Sequence, residues 1–167
     1  MVRKLLFLLL TLLSSVASFA KVWTADDIPM VHLENKMRYV CDPENLMSTA
    51  ERDSADFYLR KLQIQCGVQT VFIVVNNVKN ADCFRMAQDV GNKYGVGDKK
   101  NRRGLVIVIA VKDRRYFIAP GKGLEAELTD VEGDDIAQYC IVPNMKVNDT
   151  DMAAVTTTKA SYNKFKT

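Results

Sequence analysis

Histidine is almost absent from this sequence, because His32 is the only one among 167 residues. A serine-type catalytic triad would have to use that residue, and no G-x-S-x-G motif accompanies it. The P-loop and the zinc-protease motif H-E-x-x-H are also missing. Gly121-x-Gly123 lacks the third glycine of a dinucleotide fingerprint. The sequence therefore argues against these catalytic classes, and we expect no nucleotide cofactor.

Cysteine is sparse, and its spacing does not suit metal or redox chemistry. The four cysteines, Cys41, Cys66, Cys83 and Cys140, are widely and irregularly spaced, with no C-x-x-C pair. This spacing argues against a zinc site and against a thioredoxin-like motif. Two alternatives stay open. In an exported chain the four cysteines could form two disulfides, and the sequence does not determine which residues would pair. Alternatively, the thiols could be free and pack as small apolar side chains.

The net charge is also low. The chain carries 23 basic and 20 acidic side chains, and without Arg3 and Lys4 its net charge falls from +3 to +1. A nearly neutral protein is not attracted as a whole to nucleic acid or to an anionic membrane. The basic run from Lys99 to Arg103 has no aromatic residue between its charges. We therefore expect no nucleic-acid partner.

Long hydrophobic runs are missing except near the amino terminus. Leu5 to Leu13 is largely apolar and follows Arg3 and Lys4, but it is too short to span a bilayer comfortably. Small residues up to Ala20 complete the pattern of a signal peptide. We predict that residues 1–20 are a signal peptide cleaved near Ala20, and that residues 21–167 form a single domain. The mature protein would then be periplasmic or secreted, without a transmembrane anchor.

The rest of the sequence alternates between strand and helix patterns. Strands are predicted at 38–41, 68–75, 105–111 and 116–119, and helices from Ser48 to Gly67, from Asn80 or Asp82 to Tyr94, from Thr129 to Cys140 and from about Asp149 onward. Nearly continuous apolar strands are typical of a sheet that is covered on both faces. The four-residue turn between the last two strands allows only an antiparallel pair. The pattern predicts an α/β fold, a three-layer α/β/α sandwich with a mixed sheet of about four strands.

Apolar spacing also predicts which helix positions face the core. Val131 is such a position in the helix that follows Thr129, and Met152 is one in the last helix. The three threonines at 156–158 lower the helix propensity of that last segment. We therefore expect its end to fray.

Four carboxylates follow or precede the predicted strands. They are Asp42, Asp98, Glu125 and Asp130. Because loops beyond strand ends form the usual ligand crevice of this fold class, we expect these side chains to lie together. Oxygen clusters of this kind suit Ca²⁺ or Mg²⁺, which could polarise a phosphate and activate water. Each residue also has a purely structural alternative, as a turn former, a loop carboxylate or a helix cap.

Short motifs around these carboxylates resemble a known family. They are Gly95-Val-Gly-Asp-Lys99, Gly104 with its aliphatic strand, Gly121-Lys-Gly-Leu-Glu125, Leu128-Thr-Asp130, Ile28-Pro29 and Tyr39-Val-Cys-Asp-Pro43. In this order they resemble the TPM domain family, over roughly residues 28–155. The resemblance implies a Rossmann-like sandwich, divalent-metal binding and acid phosphatase activity, or a role in membrane-protein maintenance. It places the acidic site positions at Asp42, Asp98, Glu125 and Asp130, with Asp42, Asp98 and Glu125 as catalytic candidates.

The sequence departs from the family pattern at three basic residues. Arg102 and Arg103 stand where an Asp or Asn pair is usual, and Lys122 stands where an aromatic residue is common. These cations would repel a metal ion, or they could bind a phosphate. Three hypotheses follow: an exported binding or assembly module of the cell envelope with a protein partner, a metal-dependent phosphatase, and an anion-binding domain that holds a phosphorylated ligand.

Overall fold

A computed structural model describes residues 20–166 of the chain. The predicted signal peptide, apart from Ala20, lies outside these residues. Between residues 20 and 166 no helix has both the length and the apolar character needed to cross a bilayer.

The centre of the fold is a mixed sheet of four strands, as predicted. The strands are β1 (Val40–Cys41), β2 (Gln69–Val75), β3 (Gly104–Ala110) and β4 (Arg115–Pro120). They lie in the order β1-β2-β3-β4. The first three are parallel, and β4 pairs antiparallel with β3 because the intervening turn is too short for a crossover.

Helices cover both faces of this sheet, so the predicted three-layer α/β/α arrangement is confirmed. They are α1 (Val31–Glu34), α2 (Thr49–Cys66), α3 (Cys83–Tyr94), α4 (Asp130–Cys140), α5 (Val142–Lys146) and α6 (Thr150–Phe165). Buried side chains of α2, α4 and α6 share one core cluster with the sheet, and those of α3 share the other. All seven residues of β3 are buried, because it is covered on both faces.

Local sequence signals set the helix ends. The side chains of Ser48, Asp82, Thr129 and Asp149 each accept a hydrogen bond from a backbone N–H in the first turn of the following helix. At the other end of α2, Gly67 adopts the left-handed conformation with φ of 65°. The predicted helix starts and this stop are confirmed.

The predicted inward positions of α4 and α6 are wrong in part. Val131 is 71% exposed and Met152 is 42% exposed. Small residues face the sheet instead, since the buried residues of α4 are Gly133 and Ala137. In α6 the hydroxyl of the buried Thr157 donates to the carbonyl of Ala153 at 2.7 Å, so a polar residue is accommodated inside.

The four cysteines are free thiols in the structure. Cys41 and Cys83 are buried, while Cys66 and Cys140 are half-buried. Burial raises the pKa of Cys41 to about 11 and that of Cys83 to about 12. Both thiols therefore stay protonated near neutral pH and pack as small apolar groups, which was one of the two alternatives.

The start of α4 makes the fold sensitive to acid through Glu132. The ammonium group of Lys164 donates to its carboxylate at 2.6 Å, and the N–H of Thr129 donates at 2.9 Å. These bonds lower the pKa of Glu132 from 4.5 to about 2. A depressed carboxyl pKa stabilises the fold above pH 4.5 and loses that contribution as the pH falls towards 2. Denaturant unfolding of wild type and Glu132→Gln should differ most above pH 5, and the difference should shrink towards pH 2.

Candidate functional site

The predicted site residues are divided between the two ends of the sheet. Asp42 directly follows Cys41, the last residue of β1. Cys41 is in register with Ile73 of β2, and Ile73 is in register with Val108 of β3, so Asp42 lies near the carboxyl end of β3. Asp98 precedes β3, and the 121–125 loop follows β4, whose Pro120 pairs with Leu105. Five strand residues, or roughly 16 Å, separate the two ends. The expectation that Asp42 joins the other carboxylates is wrong, because the end of one parallel strand is remote from the start of the next.

Asp42 has a structural role where it lies. Its side chain is fully buried. One carboxylate oxygen accepts the N–H of Leu46 at 2.8 Å, and the other accepts the N–H of Met47 at 3.0 Å. The guanidinium of Arg52 lies 3.4 Å away. The carboxylate thus fixes the turn that leads from β1 into α2.

At the opposite end, two glycine loops, residues 95–104 and residues 121–125, approach each other closely. The N–H of Gly121 donates to the carbonyl of Gly104 at 2.7 Å, and the N–H of Gly123 donates to the carbonyl of Arg102 at 3.0 Å. A Cβ on Gly123 would lie 1.9 Å from the carbonyl oxygen of Asn101. Side chains cannot be accommodated there, so glycine is required for this backbone contact.

These loops and the C-terminal half of α3 enclose an open groove of about 560 Å³. The charged residues that line it are Asp98, Lys99, Arg102, Lys122 and Glu125. All five are exposed to solvent. The structure therefore brings together four of the residues predicted for a site, Asp98, Arg102, Lys122 and Glu125.

Asp98 is partly committed to its own loop. Its Oδ1 atom accepts the N–H of Asn101 at 2.7 Å and that of Lys100 at 2.8 Å. These hydrogen bonds lower the pKa of Asp98, so the carboxylate is charged near neutral pH. The Oδ1 atom therefore shapes the loop, while the residue also lines the groove.

Arg103 and Asp130 take no part in the groove lining. The Arg103 guanidinium donates to both carboxylate oxygens of Glu127 and to the carbonyl of Cys66 at 3.2 Å. It thereby ties the loop before β3 to the end of α2 and to the segment after β4. Asp130 is the first residue of α4, where a carboxylate is favourable near the helix N-terminus. The partner of Arg103 was missed, because a spacing of 24 residues gives no sequence signal.

The groove presents charges of both signs to a divalent cation. Ca²⁺ takes six to eight oxygen ligands from carboxylates, carbonyls and water, and the carboxylates in the lining are Asp98 and Glu125. Lys99, Arg102 and Lys122 share the lining and would repel a cation. Within the described chain, no three His, Cys, Asp or Glu side chains are grouped so as to hold a metal ion.

The sequence and fold resemble known proteins. Residues 40–164 match the family model described as TPM domain. The solution structure of the N-terminal domain of a P. gingivalis protein is 24% identical, with 86% of this chain and 92% of that one covered at a TM-score of 0.79. The N-terminal domain of the cg2496 protein from Corynebacterium glutamicum is 16% identical, with 87% of each chain covered at 0.63.

A third similar structure is the BA42 protein of the psychrophilic bacterium Bizionia argentinensis, which is 18% identical over 74% of this chain and 84% of that one, at a TM-score of 0.63. These identities are evidence for a shared fold alone. A search of curated proteins found no match.

Proposed function

The chain belongs to the TPM domain family, and from that premise we propose that it is an exported binding module of the cell envelope. Its groove between the glycine loops would hold a phosphate or carboxylate group of a partner. The signal peptide that the sequence predicts for residues 1–20 supports export. The proposal combines two of the hypotheses drawn from the sequence, the binding module and the anion-binding domain.

The charge of the groove is the observation that carries this proposal. Lys99, Arg102 and Lys122 surround it, and the opposing carboxylates are Asp98 and Glu125. The Oδ1 atom of Asp98 accepts two backbone N–H groups, so the negative charge of this carboxylate is partly compensated within its own loop. A guanidinium and two ammonium groups converging on one groove suit a phosphate or carboxylate better than a metal ion.

The rigidity of the two loops supports binding as well. Backbone hydrogen bonds of 2.7 Å and 3.0 Å fix Gly121 and Gly123 against the loop before β3. A bidentate ion pair between Arg103 and Glu127 also connects that loop to the segment after β4. The basic side chains are therefore mounted on a preorganised backbone, which reduces the entropy lost on binding.

Titration with inorganic phosphate and pyrophosphate, followed by NMR in the presence of EDTA, tests the proposal. We expect saturable, salt-sensitive shifts at residues 95–104 and 120–125. Lys122→Glu should weaken binding about tenfold, or about 1.4 kcal/mol. Lys112→Glu is the matched control, because Lys112 is an exposed lysine in the turn at the other end of the same hairpin. Loss of binding in both variants, or in neither, would contradict the assignment of the groove.

Metal-dependent phosphatase activity is the second candidate, because Asp98 and Glu125 do line one groove. Glu125→Gln separates the two ideas by the sign of its effect. In the anion-binding proposal this variant should bind phosphate more tightly, since it removes a repelling charge. A phosphatase that uses Glu125 would instead lose hydrolysis of p-nitrophenyl phosphate in Ca²⁺ or Mg²⁺. The wild-type protein is assayed in parallel with both metals.

A further inference from the structure

A second cavity lies at the other end of the sheet, remote from the glycine loops. It has a volume of about 300 Å³. Its sheet side is formed by Ile109, Val111 and Tyr116, and its helix side by Ile141 and Met145. Most of the lining is thus aliphatic or aromatic, and the position is the carboxyl end of β3. Ligands of α/β proteins bind most often beyond the carboxyl ends of parallel strands.

All three charged residues in this lining are basic. They are Arg114, Arg115 and Lys146. Side chains alternate along β4, and Phe117 packs in the core cluster on the α3 side, so the Arg115 side chain belongs to that opposite face. Arg114 and Lys146 are exposed, one in the β3–β4 turn and one at the end of α5. They provide the positive charge at the rim of the cavity.

Two nearby carboxylates already accept hydrogen bonds from protein groups. Asp113 accepts the side-chain amide of Asn77 at 2.6 Å and the N–H of Val78 at 2.8 Å. Asp134 accepts the hydroxyl of Tyr116 at 3.3 Å. Neither acid lines the cavity. The positive rim is therefore not neutralised by an acidic side chain within the lining.

We propose that this cavity binds a small amphiphilic carboxylate, with its aliphatic chain against Ile109, Ile141 and Met145 and its carboxylate at Arg114 and Lys146. An apolar interior with a few convergent polar groups is the usual composition of a small-molecule site. Its volume is at the lower end of the range for such sites, about 300 to 1,000 Å³, so the ligand is a short single chain. This site is independent of the groove proposed above, because it lies at the opposite end of β3.

Octanoate below its micellar concentration is the probe, titrated into the protein and followed by NMR. We expect saturable shifts at residues 109–116 and 141–148. Octanol should bind at least tenfold more weakly, and octyltrimethylammonium should not bind. Equal affinity for octanoate and octanol would overturn the assignment of the positive rim. The absence of saturable octanoate binding would overturn the site itself.

Variants test the two parts of the cavity separately. Lys146→Glu should weaken octanoate binding at least tenfold, while Lys36→Glu, an exposed lysine near the start of β1, should not change it. Val142→Trp should block the cavity with a larger side chain. Circular dichroism confirms that each variant is folded. Unchanged octanoate affinity in Lys146→Glu and Val142→Trp would refute the proposal, and Lys122→Glu should leave octanoate binding intact.

Discussion

Replacing Asp56 by alanine should lower the free energy of unfolding by about 3 kcal/mol or more. Asp56 is 4% exposed, although it lies on α2 in a position that the sequence gives no reason to single out. Its Oδ1 atom accepts the N–H of Tyr39 at 2.7 Å and that of Val40 at 2.9 Å, and Arg38 lies 3.2 Å from Oδ2. Without the carboxylate, two buried N–H groups at the start of β1 lose their acceptor.

Urea unfolding of wild type and Asp56→Ala at neutral pH measures this loss. Asp53→Ala is the matched control, because Asp53 pairs with the same Arg38 but its side chain is 56% exposed. Exposed ion pairs contribute little, so the control should change the free energy of unfolding by less than about 0.5 kcal/mol. Equal losses in the two variants would mean that the Arg38 charge, and not the backbone N–H groups, determines the role of Asp56.

Gly123→Ala should disrupt the groove and destabilise the fold together. The added methyl group would lie 1.9 Å from the carbonyl oxygen of Asn101, which is backbone and cannot rotate away. The two glycine loops must then separate, and we expect a loss of about 2 to 3 kcal/mol, as for an overpacked site. Phosphate binding should weaken more than in Lys122→Glu, because every basic group of the groove is displaced.

Gly91→Ala is the control for this substitution, because Gly91 lines the same groove from α3. Its added methyl group would meet Val106 at an ordinary 3.7 Å, and a helical glycine replaced by alanine gains stability. Thermal unfolding should therefore show Gly91→Ala more stable by about 0.5 to 1 kcal/mol. Phosphate affinity close to that of wild type in Gly123→Ala would show that the close approach of the loops is not needed for binding.

Local patterns made much of the fold predictable. Helix starts at Ser48, Asp82 and Thr129 follow from side chains that accept first-turn N–H groups, a signal contained within four residues. The antiparallel pairing of β3 and β4 follows from the length of their turn. These features depend on contacts between near neighbours in the chain, which a single sequence displays.

Features that depend on distant contacts could not be predicted in the same way. Val131 fits an apolar stripe but is exposed, because α4 turns Gly133 and Ala137 towards the sheet instead. The separation of Asp42 from Asp98 and Glu125 also depends on distant contacts. Asp42 and Asp98 are each adjacent to a strand, but which end of the sheet they occupy depends on strand direction across the whole domain. Asp98, Arg102, Lys122 and Glu125 line one groove because a single hairpin joins their loops, and the length of its turn is visible in the sequence.

The central position of β3 in the sheet should also slow the exchange of its backbone amide protons. All seven of its residues pair with β2, and six of them also pair with β4. We therefore expect its amide protons to exchange with deuterated solvent mainly when the whole domain opens, whereas the loop before it should exchange through local fluctuation. The slowest-exchanging amides of β3 thus report global opening at the midpoint between the groove and the cavity.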